Sequence, residues 1–183
     1  MAGTLGTTYL QTAIRRLCYY KLLGEKTFGQ LTDADFHYAP NEASNSIAVI
    51  IQHVSGNMLS RWTNFLTEDG EKAWRNRDEE FGVHNYSKQQ LLELWEKGWQ
   101  CFLDALTSLT GDDLLKTIYI RKEPLLVIDA INRQLAHYPY HVGQILYIGK
   151  QIKDTNWQSL SIEKGQSEAY NKSDGVKDPA KKQ

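Results

Sequence analysis

Much of what would declare a protein's chemistry is missing from these 183 residues. Only two cysteines occur, Cys18 and Cys101, each alone. That excludes a disulfide framework and a thiolate zinc site, and it points to two reduced thiols of core type. Neither charge is in excess: 21 basic against 22 acidic residues leave a net charge of −1, so no basic field draws the chain to nucleic acid or anionic lipid. No uninterrupted apolar run approaches the ~20 residues of a membrane span. Arg15 and Arg16 break the first apolar segment, where a secretory signal is purely apolar. A glycine-rich phosphate loop, a strand-turn-helix nucleophile elbow and a Cys-His signature are absent. So is the Glu-x-x-His pairing of carboxylate-bridged two-metal bundles. The expectation is a cytoplasmic, single-domain protein with a sizeable core and no nucleic-acid or membrane partner.

What is present is helical periodicity. Leu10, Ile14, Leu17 and Lys21, widened by Ala13, Cys18 and Tyr20, predict an amphipathic helix over 4–24 with Gly24 as its stop. Turn formers Asp33, Asp35, Pro40 and Asn41 mark a connection. The stripe Ile47, Ile51, Val54, Met58, Trp62 and Phe65 then predicts a second helix over 46–66. Residues 67–86 turn strongly polar and read as a long solvated loop. Ser87 with Gln90 three residues on is a capping box opening a third helix, with Leu91, Trp95, Phe102 and Leu106 on its apolar face and Gly111 at its end. Ile118-Tyr119-Ile120 reads as a short extended or hairpin segment. Pro124 suits the first turn of a fourth helix over 124–152, striped by Val127, Ile131, Tyr138, Ile145, Ile148 and Ile152. Residues 1–170 thus form one domain, closed by an arm over 157–170, and residues 171–183 read as a flexible polar tail.

The chemistry rests with histidine. Of the five, His37 and His84 fall in connecting segments and read as exposed surface residues. His137 and His141 stand four apart on the fourth helix, so both imidazoles leave the same side, about one turn apart. That spacing can present two ligands to one ion, and it also occurs on ordinary helix surfaces. A third ligand would come from His53, which sits away from the centre of the second helix's stripe, beside Ile50 and Asn57. That placement argues against the role unless the helix is buried on two sides. No glutamate follows His137 as in the metalloprotease pattern. Gln134 and Gln144 flank the pair at three residues and are candidates to hydrogen-bond the imidazoles from behind.

One histidine in the second helix and His-x-x-x-His in the fourth is an order that resembles the DinB-like superfamily (DinB/YfiT-like metalloenzymes). Within it, the chain is similar to a branch described only as a domain of unknown function. The resemblance is carried by Asn45-Ser46-Ile47-Ala48-Val49-Ile50-Ile51-Gln52-His53, by Arg75-Asn76-Arg77-Asp78-Glu79-Glu80-Phe81, and by Ala130-Ile131-Asn132-Arg133-Gln134-Leu135-Ala136-His137 with Tyr140-His141-Val142-Gly143-Gln144-Ile145. It spans about residues 4–170.

The resemblance implies an all-α, four-helix up-down-down-up bundle, commonly a homodimer. It also implies a divalent metal on His53, His137 and His141, zinc or nickel first, with iron or manganese as alternatives. Its characterised members include transferases acting on low-molecular-weight thiols such as bacillithiol, mycothiol or glutathione. The expected activity is therefore thiol S-transfer to an electrophile. The alternatives are hydrolysis by metal-activated water and a non-catalytic, stress-related metal-binding bundle. Arg75 and Arg77 of the polar segment, oriented by Asp78 or Glu79, together with Asn57, are the candidate substrate-binding residues. No catalytic residue is assigned.

Overall fold

The computed structural model describes residues 3–181. Ser46 accepts the Val49 amide at 3.3 Å and so opens helix α2, Ile47–Trp62. This helix is enclosed almost all round: fourteen of its sixteen residues are buried. It packs chiefly on helix α3, Lys88–Thr107, while helix α1, Leu5–Phe28, packs chiefly on helix α4, Val127–Lys153. Gly98 of α3 lets the first pair approach closely, since a Cβ there would lie 2.9 Å from Ser55 Cα. One core joins all four helices, with Leu17, Ile51, Met58, Trp99, Phe102, Tyr138 and Ile145 among its fully enclosed side chains. A short helix α5, Ser167–Lys172, follows. The described residues are mainly helical, with one two-stranded hairpin among them. Among the described residues no helix is long and apolar enough to cross a membrane.

Several element ends differ from the periodicity. Gly24 does not stop α1, which continues to Phe28. The glycine is instead a notch for Trp95, whose Cζ2 lies 2.7 Å from where a Cβ would stand. The capping box at Ser87 and Gln90 is present, but α3 closes at Thr107, and Gly111–Leu115 is a separate turn of 3-10 helix. Pro124 does not begin α4. It lies opposite Tyr119 in the hairpin of β1, Thr117–Ile120, and β2, Glu123–Leu126, because pairing as far as Thr117 with Leu126 keeps the chain extended until Val127.

The polar segment 67–86 is not a freely solvated loop. The Arg75 side chain is 2% exposed and Glu80 10%, and a short 3-10 turn, Glu79–Phe81, packs against α2. The segment is fastened to the hairpin. Arg121 and Lys122 at its tip have φ of +56° and +65°, a left-handed pair that side chains disfavour. Asp69 offsets that cost by accepting both of their amides, at 2.8 and 2.7 Å, and Gly70 donates to Tyr119 O at 2.8 Å.

Toward the C-terminus, Gln30 and Gln158 exchange hydrogen bonds, and Arg16 holds Asp178 with two bonds of 2.6 and 2.7 Å. Ala180 is buried. Positions 182 and 183 of the tail expected from composition lie outside the described residues, as do positions 1 and 2 of the expected domain.

Candidate metal centre

His53 is buried because α2 is covered on two sides, by α3 and by the turn at Glu79–Phe81. The Phe81 ring lies 4.8 Å from the His53 ring, centroid to centroid. Helix α4 delivers the other two imidazoles from one side. The ring centroids of His137 and His141 are 4.8 Å apart, and each stands 5.5 and 5.0 Å, respectively, from that of His53. One nitrogen from each of the three lies within 4.8 Å of the other two. The structure thus brings His53, His137 and His141 together, whereas His37 and His84 stay apart, each bonded to a backbone carbonyl, of Tyr86 and Glu79 respectively.

Each imidazole is held by an oxygen at its outer nitrogen. His53 Nδ1 lies 3.0 Å from Glu80 Oε2, His141 Nδ1 2.8 Å from Gln144 Oε1, and His137 Nδ1 3.4 Å from Gln134 Oε1. Oxygens in those places make Nδ1 the protonated nitrogen and leave Nε2 with its lone pair. The Nε2 atoms of His137 and His141 then face each other at 3.1 Å. Two lone pairs so close, with both protons committed elsewhere, repel unless a cation is shared between them. The separation is near the roughly 3.3 Å expected of two nitrogens on one tetrahedral ion at about 2.05 Å. The residues therefore fit a divalent metal, with ring nitrogens as donors and hydrogen-bonded oxygens behind them.

Glu80 is the functional residue that sequence reasoning missed. Its carboxylate accepts from His53 through one oxygen, and Arg75 Nε and Nη2 grip both oxygens at 2.7 and 2.8 Å. Burial alone would raise its pKa, but the bonds from Arg75 and His53 outweigh that and hold it below the usual carboxylate range. Burial pushes His137 down to about 4, reinforced by His141 and His53, with Arg133 and Arg75 adding smaller repulsions. Burial likewise lowers His141, against the bond to Gln144. Both are therefore neutral, ligand-competent imidazoles at neutral pH. The signal for Glu80 lies in the segment Arg75 to Phe81 itself, where the partner of Arg75 is Glu80 and not the expected Asp78 or Glu79.

Of the expected substrate-binding residues, Arg75 reaches the centre, but as the clamp on Glu80, with Nη1 buried and unpartnered among the described residues. Arg77 lies over the Phe81 ring, 5.0 Å from its centroid. Asn57 is buried and accepts from Tyr138 Oη at 3.1 Å, so its oxygen is committed to the core. Gln134 and Gln144 stand where the spacing placed them.

A family model described as "Protein of unknown function (DUF1572)" matches residues 4–166, which covers all four long helices and the histidine cluster. No curated protein matches the chain.

Proposed function

Since the chain belongs to the DUF1572 family, whose description carries no activity, we propose a function from the site together with the resemblance to the DinB-like superfamily: a metal-dependent transferase that activates a low-molecular-weight thiol towards an electrophilic small molecule. The observation that carries the metal centre is the convergence of His53, His137 and His141 with each Nδ1 engaged from behind. The ion is zinc or nickel as the resemblance implies, a choice that imidazole donors suit, with iron or manganese as the resemblance's alternatives. When bound, it lowers the pKa of a thiol it holds, so that a nucleophile forms near neutral pH.

The chain's own residues do the rest. Glu80, Gln134 and Gln144 fix ring orientation and tautomer, Arg75 keeps Glu80 ionised, and Phe81 covers one face of His53 against water. The thiol and its electrophile come from the resemblance to the DinB-like superfamily. That resemblance also supports taking the four long helices as an up-down-down-up bundle that pairs as a homodimer in the cytoplasm.

The test is metal content by plasma mass spectrometry on untagged protein, beside His137→Ala and His141→Ala. Near-stoichiometric zinc or nickel in the parent, lost in both variants while helical circular dichroism persists, is the expected result. No metal after reconstitution with several divalent ions overturns the proposal. With metal present, turnover is then assayed with bacillithiol, mycothiol and glutathione as thiol donors. Hydrolysis that proceeds equally without thiol would move the assignment to activated water.

A further inference from the structure

A cleft of about 800 Å³ lies between residues 40–45 and one side of α4, within the range of roughly 300–1,000 Å³ typical of small-molecule sites. It adjoins the histidines twice. Gln144 lines the cleft while its oxygen accepts from His141, which leaves its NH₂ group free to donate. Tyr140 lines it too, with its ring 5.0 Å from that of His141.

The chemistry of the lining is selective. Among the described residues no Lys, Arg, His, Asp or Glu borders the cleft. Its polar groups are the amides Asn41, Asn45, Gln144 and Gln151 and the phenols Tyr140 and Tyr147, with one serine. Asn45 and Gln151 can both donate and accept, while Asn41 and Gln144, whose oxygens already accept from Ala43, Ser44 and His141, can donate. This matches hydroxyl and amide groups, whereas a charged group brought here would lose water without gaining a counter-charge. Tyr140 and Tyr147 are 60% and 64% exposed, although both are large aromatics. Between them Gly143 leaves open floor, since a Cβ there would meet nothing within 4 Å.

We infer that this cleft is the subsite for a neutral, ring-bearing small molecule rich in hydroxyl or amide groups, laid against Tyr140 and Tyr147 over Gly143 with Gln144 linking it to His141. The inference rests on the metal-centre proposal for its role in a reaction, and it names the class of that site's electrophilic substrate, not of its thiol.

The test is saturation-transfer NMR on metal-reconstituted protein with two matched probe pairs. These are phenyl β-glucoside against phenyl β-glucuronide, and N-acetyltyrosine amide against N-acetyltyrosine. Metal content and molecular mass are measured on the same samples. The expected result is that the neutral member of at least one pair binds at least fivefold more tightly than its anionic partner. Binding should then weaken about fivefold in Tyr147→Ala and be lost in Gly143→Trp, with metal content unchanged in both. Preference for the anions, no binding by any of the four probes, or neutral binding that survives both substitutions overturns the assignment. A change of oligomeric mass in Tyr147→Ala also overturns it, because the tyrosines would then be an interface between copies. Metal absent from every sample, with the neutral preference intact, removes the metal-centre proposal and leaves the subsite standing.

Discussion

The Glu80 carboxylate rests directly on Gly56: its Cδ lies 2.8 Å from where a Cβ on that glycine would stand, and Oε1 lies closer still. Gly56 is one turn beyond His53 on α2, so the missing side chain is what lets an acid from another segment reach the histidine's outer nitrogen. Gly56→Ala should expel Glu80 and strand the Arg75 guanidinium, which is almost wholly buried. Breaking a buried pair from one side costs about 3–5 kcal/mol, so the variant should unfold at clearly lower denaturant concentration. Gly143→Ala is the control. It sits in helix α4 with open space around it, and should gain about 0.5–1 kcal/mol from helix propensity. Equal midpoints for the two variants would contradict the account of Gly56.

Glu80 itself should act through His53 on metal affinity. Glu80→Gln keeps an oxygen for His53 Nδ1 but loses the charge that Arg75 grips, and Glu80→Ala loses both. Loss of such a supporting partner weakens metal binding about 10–100-fold, with Gln expected near the lower figure and Ala near the upper. Chelator competition on the reconstituted proteins measures it. Affinity unchanged in Glu80→Ala would make the carboxylate a structural partner of Arg75 alone.

How much of this was legible follows from the range of each interaction. The stripe of α2, the capping box at Ser87 and Gln90, and the pairing of His137 with His141 are local, and periodicity carries them. His53 sat off the stripe because a stripe assumes one buried face, and α2 has little exposed surface left. Gly24 reads as a stop and no local pattern marks Gly56, since what each accommodates, Trp95 and Glu80, is distant in the chain. Arg75 reads as a substrate-binding candidate and Glu80 as one more charge of a solvated loop. Their side-chain charges meet each other and His53, a three-way contact that composition cannot reveal.

The hairpin should matter to the centre at a distance. Asp69 accepts from the amides of Glu71, Arg121 and Lys122, which fastens both the left-handed tip and the segment that carries Arg75 and Glu80. Those same bonds, the one from Glu71 foremost, hold its pKa below the usual value. Asp69→Ala should therefore speed proteolysis within residues 67–86 and weaken metal binding several-fold without changing helical content. Limited proteolysis followed by mass spectrometry reads the first effect. A cleavage pattern identical to the parent's would show that the hairpin does not restrain the segment.

Acid should act on the histidines in a defined window. His137 is held at about 4 by burial and by His141, His53, Arg133 and Arg75, while the unfolded chain titrates near 6.5. Between those values the unfolded state binds a proton that the folded state refuses, so the stability of the metal-free protein falls as pH drops from about 6.5 towards 4. Below that, this group adds nothing further. His141 is lowered in the same direction and steepens the slope. Protons compete with a metal for the same Nε2 lone pairs, but the folded His137 takes a proton only near 4, so metal release by competition at this ligand should begin at the acid end of the window. Denaturation midpoints of the metal-free protein at pH 7.5, 5.5 and 4.5 check this against His137→Gln. The variant removes the buried imidazole, and its pH dependence should be shallower. Parallel curves for the two proteins would mean that His137 is no more reluctant to protonate folded than unfolded, and that burial does not set its charge.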